Sequence, residues 1–402
     1  MKRGIATFTL DSGHCPPWLF ERMVALGREI IYVLIDEFGP DEFVKRIADP
    51  VWFQSLGTVL AFDWNASGLT TILTAALKEA IRGDEENLGI FICGGKGKTS
   101  RKTPEEIANW GMRLNLPSYQ TKNLSYSSKM AAKVDSSLVQ DGYQIYHHAF
   151  IFSRPTASSG GAWAVVQQGM NTASSSARRY HWYDELELKS QNSKVKTKDF
   201  TDEPHTGIAS QVFQKNVLNL VSKKSQKNRE ISKDLVSSGY STLMRDLDIV
   251  RRHSSEFSRM ISFKFKKEPN EQLSLLQLND INFKNHPVLG LDFSKSKYLE
   301  KIFQKITYEK PESYELLLAM EGVGPKTMRA LSLIAEVIYG ADPSFEDPAR
   351  YSFALGGKDH IPYPVDKPVY DKTIGLMEKA VIRAKISLFE KEKALRRLQS
   401  VF

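Results

Sequence analysis

One segment of the chain has the residue types and spacing of a phosphate-binding turn: Gly322-Val323-Gly324-Pro325-Lys326-Thr327. Its two glycines flank a small apolar residue, and glycine allows the backbone conformations that a tight turn needs. Lys326 and the nearby Arg329 add positive charge at the same place. These residues predict a contact with the phosphate backbone of DNA that depends little on base sequence.

Two segments with apolar residues at helical spacing flank this turn, residues 311–320 and 328–339. They predict a pair of helices within 311–340. The second helix would begin with free backbone N–H groups and the positive end of its dipole directed at the turn, which suits a phosphate. An ordinary helical corner, in which the glycines only turn the chain, is the alternative interpretation.

The bulk composition is that of a soluble, intracellular protein. The chain has 402 residues and a net charge of +8, with a pI of about 9.1, which favours a polyanionic partner. Cys15 and Cys93 lie far apart and lack the spacing of metal ligands. No long apolar run follows the N-terminus, so we expect no signal peptide and no membrane span. We therefore expect a cytoplasmic protein without a metal site or another cofactor.

The pattern along the chain predicts an α+β fold. Residues 1–182 mix apolar strands and helices and predict an α+β N-terminal domain. Residues 183–233 are polar and predict a linker. Residues 234–402 predict an all-α domain that contains the hairpin. The N-terminal elements expected are helices at 18–38, 41–47 and 70–81 and strands at 88–93, 143–152 and 162–168.

Two further basic segments lie in the predicted N-terminal domain. A Gly-rich loop after the first predicted strand carries Lys96, Lys98, Arg101 and Lys102, and such a loop can approach phosphates closely. A solvated flexible loop is the alternative. Residues 178–183 (Arg-Arg-Tyr-His-Trp-Tyr) interleave basic and aromatic side chains, which suits phosphate contacts by Arg178 and Arg179 and stacking on an unpaired base. A buried strand end with surface arginines is the alternative.

A metal-dependent nuclease site is a further hypothesis for the N-terminal domain. Consecutive histidines in a strand face opposite sides of a sheet, so both cannot easily bind one metal ion. The candidate residues are Asp135, Asp141, His147, His148, Gln167 and Gln168.

Several stretches together resemble an uncharacterised prokaryotic family, domain of unknown function 763 (DUF763). The resemblance covers most of the chain and implies no activity. It is carried by residues 13–23 (GHCPPWLFERM), 62–64 (FDW), 94–97 (GGKG), 100–106 (SRKTPEE), 140–148 (QDGYQIYHH), 163–171 (WAVVQQGMN), 177–182 (ARRYHW) and 356–359 (GGKD).

The hairpin also resembles that of the helix-hairpin-helix DNA glycosylases of the endonuclease III type. This resemblance implies that Lys326 is a Schiff-base nucleophile, and that Asp366 of the segment Pro364-Val365-Asp366 is the catalytic carboxylate. The chain departs from that pattern by an insertion at 343–361 and by the absence of the iron–sulfur cysteines.

The sequence thus predicts a DNA-binding enzyme of base excision repair, a DNA glycosylase or abasic-site (AP) lyase. Imine formation requires a nucleophilic lysine, and a carboxylate stabilises the developing positive charge. Two alternatives remain open at this point. One is a structure-specific nuclease whose metal site lies in the N-terminal domain, and the other is a non-catalytic DNA-binding adaptor.

Overall fold

The structure of the protein is a computed structural model. It describes residues 8–10, 15–60, 66–156, 159–186, 199–254, 297–350, 375, 377–383 and 387–401. Asp366 and residues 351–361 of the predicted insertion lie outside these ranges.

A five-stranded antiparallel sheet forms the centre of the fold, in the order β1-β3-β4-β5-β6. Two short strands, β2 and β7, pair separately. The three central strands are buried along most of their length, as expected for strands that are covered on both faces. The strands are β1 (Ile90–Lys96), β2 (Val139–Gln140), β3 (Gln144–Ser153), β4 (Ala162–Asn171), β5 (Ser176–Glu185), β6 (His205–Ser210) and β7 (Leu218–Asn219).

N-terminal helices cover one face of the sheet. In the first helix the buried residues Met23, Leu26, Ile30 and Leu34 recur at helical spacing. They join a hydrophobic cluster with sheet residues such as Ile151. The helices on this side are α1 (Pro17–Phe38), α2 (Pro40–Ile47), α3 (Pro50–Val59) and α4 (Ala66–Ala80), and the short α5 (Glu85–Leu88) leads into β1.

A second hydrophobic cluster lies on the other face of the sheet. It runs from aromatic side chains of the sheet, such as Phe150 and Trp163, to Leu331 of the hairpin. The helices that contribute to it are α6 (Thr103–Arg113), α7 (Ser118–Ser137), α8 (Gln226–Ser237), α9 (Tyr240–Ser254), α10 (Lys297–Glu309), α11 (Tyr314–Ala319) and α12 (Pro325–Tyr339). A last helix, α13 (Leu388–Val401), contacts α3.

The mixed α+β class agrees with the sequence prediction. The linker prediction for 183–233 is wrong in the described residues, because His205–Ser210 is a strand of the central sheet and Leu218–Asn219 pairs with β2. Buried Phe200 and Ile208 anchor this segment in the core despite its polar composition. The division into two domains stays a prediction. The sheet and the helices after Gln226 share one hydrophobic core.

The pairing register places a polar row across the middle of the sheet. Lys96 lies opposite His147, His147 opposite Gln168, and Gln168 opposite Arg179. The side chains of His147, Gln168 and Arg179 face the N-terminal helices, where they contact residues of α3 and α4 or the chain just before them. The neighbouring row, which includes His148, faces α7 instead.

Candidate nucleic-acid interface

The predicted hairpin is present, formed by α11 and α12 around a short turn. Ser313 caps α11, and its hydroxyl oxygen accepts a hydrogen bond from the Leu316 N–H at 3.1 Å. Gly322 adopts a φ of +87°, and a Cβ atom there would lie 2.5 Å from Cδ1 of Ile302. Gly324 has extended backbone, and nothing lies within 4 Å of its Cβ position. Only Gly322 is therefore required by the geometry of the turn.

Lys133 of α7 binds the carbonyl groups on the inner side of this turn. Its ammonium nitrogen lies 2.6 Å from the oxygens of Leu318 and Met320, and 3.2 Å from that of Val323. These oxygens come from the end of α11 and from the turn, where the helix leaves its last carbonyl groups without partners. One lysine from the first half of the chain thus caps a helix in the second half.

Three more side chains bind carbonyl oxygens of the same turn. Lys129 of α7 donates to Ala319 at 3.0 Å, and Lys305 of α10 donates to Glu321 at 3.3 Å. The hydroxyl of Tyr298, also on α10, donates to the oxygen of Gly322 at 3.1 Å. The turn is therefore held from two sides, and three ammonium groups surround it.

The pKa of Lys133 shows how concentrated this positive charge is. The pKa is lowered to about 8, chiefly by burial and in smaller part by the neighbouring charges of Lys129 and Lys305, whereas Glu321 opposes the change. Mutual repulsion of this kind is relieved by a bound anion. The hairpin turn is an electropositive surface that suits phosphate.

The predicted contact residues at the start of α12 differ in their exposure. Lys326 is exposed, whereas Val323 and Thr327 are buried, so the side chains of these two residues do not reach a ligand. Arg329 is half-buried, and its Nε donates to the side-chain oxygen of Gln140. Burial lowers the pKa of Arg329. The first turn of α12 carries no side-chain cap.

Lys326 stands at the mouth of the hairpin and forms no ion pair with any residue that the structure describes. Asp366, its proposed partner, lies outside the described ranges. The structure therefore places Lys326 but not the carboxylate that the sequence pairs with it.

A stripe of tyrosine and lysine side chains on α10 extends the basic surface, and the predictions from the sequence did not include it. Tyr298, Lys301, Lys305 and Tyr308 follow one another at steps of three, four and three residues, which places them on one face of a helix. Tyr308 is 88% exposed and Tyr298 59% exposed. The spacing of lysine and tyrosine was the signal that could have revealed this stripe.

The Gly-rich basic loop is exposed, as the sequence suggested. Lys96 ends β1, and Lys98, Arg101 and Lys102 lie on the 3₁₀ turn Gly97–Lys102. This loop contacts β3 and α6, whereas the hairpin contacts α7 and α10. The two basic segments belong to different parts of the fold.

Arg178 and Arg179 are not surface contacts, and that prediction is wrong. Both side chains are fully buried because β5 lies inside the sheet. Nη1 of Arg178 pairs with Asp141 at 2.8 Å, and its Nη2 pairs with Asp347 at 2.7 Å. Arg179 lies on the opposite face, where Nη2 is 3.2 Å from the side-chain oxygen of Gln54.

Backbone hydrogen bonds on either side of Asp347 show where the first part of the predicted insertion lies. The backbone N–H of Asn219 donates to Ser344 at 2.8 Å, and that of Arg350 donates to Ile208 at 3.0 Å. The first part of the insertion therefore packs along strands β6 and β7.

A comparison with protein families finds a match over most of the chain. The profile of the family described as "Protein of unknown function (DUF763)" matches residues 4–365. The chain belongs to the DUF763 family. No curated protein and no solved structure matches it significantly. The resemblance of the hairpin to DNA glycosylases stays a prediction.

The polar residues of the nuclease hypothesis for this DUF763 protein are buried, and they face both sides of the sheet. His147 and His148 do face opposite sides of the sheet, His147 towards Thr74 and His148 towards Ser128. Asp135 is buried, and its carboxylate binds other side chains, including His205. In the described part of the chain, no group of three His, Cys, Asp or Glu residues could hold a metal ion.

None of the helices in the described ranges of this DUF763 protein is both long and apolar enough to cross a membrane.

Proposed function

We propose that the protein binds DNA through the hairpin turn, by contacts with the phosphate backbone. The observation that supports this most directly is the ring of ammonium groups around the turn, from Lys129, Lys133 and Lys305. Their hydrogen bonds occupy the carbonyl oxygens, which would otherwise repel a phosphate. The uncapped first turn of α12 then offers backbone N–H groups and a favourable dipole to the anion.

Such binding is largely independent of base sequence. Lysines act on phosphates as point charges, and the release of counterions from DNA makes the affinity strongly dependent on salt. We place Lys326 and the α10 stripe in the same footprint, with the Gly-rich loop (Lys96, Lys98, Arg101 and Lys102) as a second, separate contact.

The activity that we propose is that of a DNA glycosylase or AP lyase in cytoplasmic base excision repair. Lys326 is exposed at the mouth of the hairpin, where a deoxyribose C1′ would lie when the adjacent phosphate is bound. The amine would attack C1′ and displace the base, or add to the C1′ aldehyde of an abasic site with loss of water, so that an imine forms, and Asp366 would stabilise the positive charge that develops. This chemistry requires no cofactor.

Borohydride trapping on DNA with an abasic site tests this activity. Reduction of the imine should link the protein covalently to the DNA in the presence of chelator, and Lys326→Ala should abolish the product. Lys301→Ala is the matched control, because it removes an exposed lysine of the same surface and leaves the proposed nucleophile in place.

Three other results would each have a distinct meaning. Salt-dependent binding without trapping would indicate a non-catalytic adaptor. Cleavage that survives Lys326→Ala and stops in chelator would indicate a nuclease. Absence of binding to any DNA would contradict the proposal.

A further inference from the structure

A cavity of about 530 Å³ lies beside α4, away from the hairpin, and we call it the α4 cavity. Its walls come from the N-terminal end of α1, from α4, from the end of β1 with the Gly-rich loop, and from β3. The volume is within the range of pockets that bind small molecules. No residue of the hairpin lines it.

Two lysines bring positive charge to the α4 cavity from different walls. Lys78 of α4 is held in place, because its ammonium nitrogen donates to Glu106 at 2.6 Å and to the carbonyl oxygen of Gly94 at 3.2 Å. An ammonium group has three donors, so one remains for a ligand. Lys96, at the end of β1, is exposed and forms no ion pair with another described residue.

The glycines of the loop fix the position of Lys96. Gly94 has a φ of +83°, and a Cβ atom there would lie 2.3 Å from the carbonyl oxygen of His148. Gly95 also has a positive φ, of +148°. These two residues let β1 run close against β3 before the loop begins, which holds Lys96 at the edge of the cavity.

Buried polar groups stand directly behind the cavity wall. Thr74 and Tyr146 line the cavity, and each is also hydrogen-bonded to a buried side chain. The hydroxyl of Thr74 lies 3.2 Å from Nε2 of His147, and the hydroxyl of Tyr146 accepts from Nε2 of Gln168. Nδ1 of His147 and Oε1 of Gln168 are buried without a hydrogen-bond partner.

Unsatisfied buried atoms of this kind cost about 1–3 kcal/mol each. The hydroxyl of Thr74 also donates to the carbonyl oxygen of Thr70 at 2.9 Å. Thr74 and Tyr146 therefore give the cavity a polar lining that is held in place by hydrogen bonds within the fold.

Part of the remaining wall is apolar, and the ion pair of Arg82 and Glu79 (2.8 Å) also lines the cavity. Phe20, Ile72 and Ile92 line it together with small residues. A ligand that fits both parts carries an anionic group for the two lysines and a flat, partly apolar group for this surface.

We propose that the α4 cavity binds a nucleoside phosphate, with the phosphate at Lys78 and Lys96 and the base against Phe20 and Ile92. A free nucleotide and the phosphorylated end of a nucleic-acid strand both carry this chemistry. The hairpin and the cavity share no residue, so this proposal does not depend on DNA binding by the hairpin, whereas Lys96 also belongs to the second DNA contact proposed above.

Isothermal titration calorimetry of the full-length protein tests this assignment with adenosine and adenosine 5′-monophosphate. The monophosphate should bind at least about tenfold more tightly, because charge-assisted hydrogen bonds to two lysines are lost with adenosine. Lys96→Gln should remove most of that preference. Lys98→Gln, which changes an exposed lysine of the same loop outside the cavity, should retain it.

A second arm distinguishes the two sources of the phosphate. Two short single strands of the same sequence are compared, one with a 5′-phosphate and one with a 5′-hydroxyl. Binding by the hairpin then contributes equally to both affinities. Tighter binding of the phosphorylated strand identifies a strand end as the ligand. If only the free monophosphate is preferred, the ligand is a nucleotide. Equal affinities for adenosine and its monophosphate, or equal effects of Lys96→Gln and Lys98→Gln, would overturn the proposal.

Discussion

The ammonium nitrogen of Lys133 lies 2.6 Å from the carbonyl oxygen of Met320, a contact between residues 187 positions apart in the chain. It fastens the hairpin turn to α7, which packs on the central sheet. The position of the proposed DNA-binding turn is therefore set by the first half of the chain.

Replacement of Lys133 by methionine should loosen the hairpin. The variant keeps the apolar stem of the side chain but leaves three carbonyl oxygens without their donor. We expect a loss of about 1–3 kcal/mol in the free energy of unfolding, measured in urea, together with weaker DNA binding. Lys122→Met, at an exposed position on the same helix, should change stability by less than about 0.5 kcal/mol. Similar losses in both variants would show that the carbonyl contacts of Lys133 contribute little.

The two glycines of the turn should differ in their tolerance of substitution. Gly322→Ala places a Cβ atom against Ile302 at a φ of +87°, which should cost at least about 1–2 kcal/mol and weaken DNA binding several-fold. Gly324→Ala meets no atom within 4 Å and needs no unusual φ, so its effect on both should be much smaller. Thermal unfolding and fluorescence anisotropy with labelled DNA measure the two effects. Equal behaviour of the two variants would contradict the structure of the turn.

Tyr308 provides a test for the α10 stripe. If its ring stacks on an unpaired base, Tyr308→Leu should weaken binding of single-stranded DNA by about 1–3 kcal/mol, whereas Tyr308→Phe should preserve it. Stability should not change in either variant, because the side chain is 88% exposed. Anisotropy titrations at fixed salt give the comparison. Unchanged binding in Tyr308→Leu would remove this tyrosine from the footprint.

The sequence predicted those parts of the fold in which local pattern and burial agree. The turn residues of the hairpin, the helix at 18–38 and the central strand at 162–168 are of this kind, and each agrees with the structure to within a few residues. Helix α7 gave no clear signal, because serine and lysine dominate its sequence and its buried face includes the polar residues Ser128 and Asp135. Strand β6 was hidden in the same way by the polar residues around it.

Contacts between distant segments account for the errors at the candidate site. Arg178 lies in a local sequence that is typical of an exposed basic-aromatic segment. In the structure its side chain is buried and pairs with Asp347, which is 169 positions away. The hydrogen bond from Lys133 to the hairpin likewise joins the first half of the chain to the second half. A single sequence contains no pattern that brings such residues together, because their proximity follows from the packing of the whole sheet.

Acid should destabilise the protein through His147. Burial lowers the pKa of its imidazole to about 3, with smaller contributions from His148 and Lys96, against an ordinary value of 6.5. The unfolded chain therefore binds a proton between pH 6.5 and pH 3 that the folded protein does not, so stability falls as the pH decreases through this window. The contribution is at most about 1.4 kcal/mol per pH unit.

His147→Gln should make the unfolding free energy less dependent on pH between 6.5 and 5, measured in urea at each pH. Part of the dependence should remain, because burial also lowers the pKa values of His148 and His181. An unchanged slope in the variant would show that His147 does not carry this effect.

The buried ion pair of Arg178 and Asp347 should be a major determinant of stability at the edge of the sheet. Asp347 accepts from both terminal nitrogens of Arg178, at 2.9 and 2.7 Å, and also from the backbone N–H of Gln214 at 2.6 Å. Asp347→Ala leaves the buried guanidinium with Asp141 as its remaining carboxylate, and the loss should be about 3–5 kcal/mol.

Glu346→Ala is the matched control for this pair. The neighbouring glutamate pairs with Lys224 at the surface, where its side chain is 71% exposed, so its removal should cost less than about 1 kcal/mol. Chemical unfolding of both variants measures the difference. A small loss in Asp347→Ala would mean that the segment from Pro343 to Arg350 does not need this pair to dock, and the arrangement of the insertion against the sheet would have to be revised.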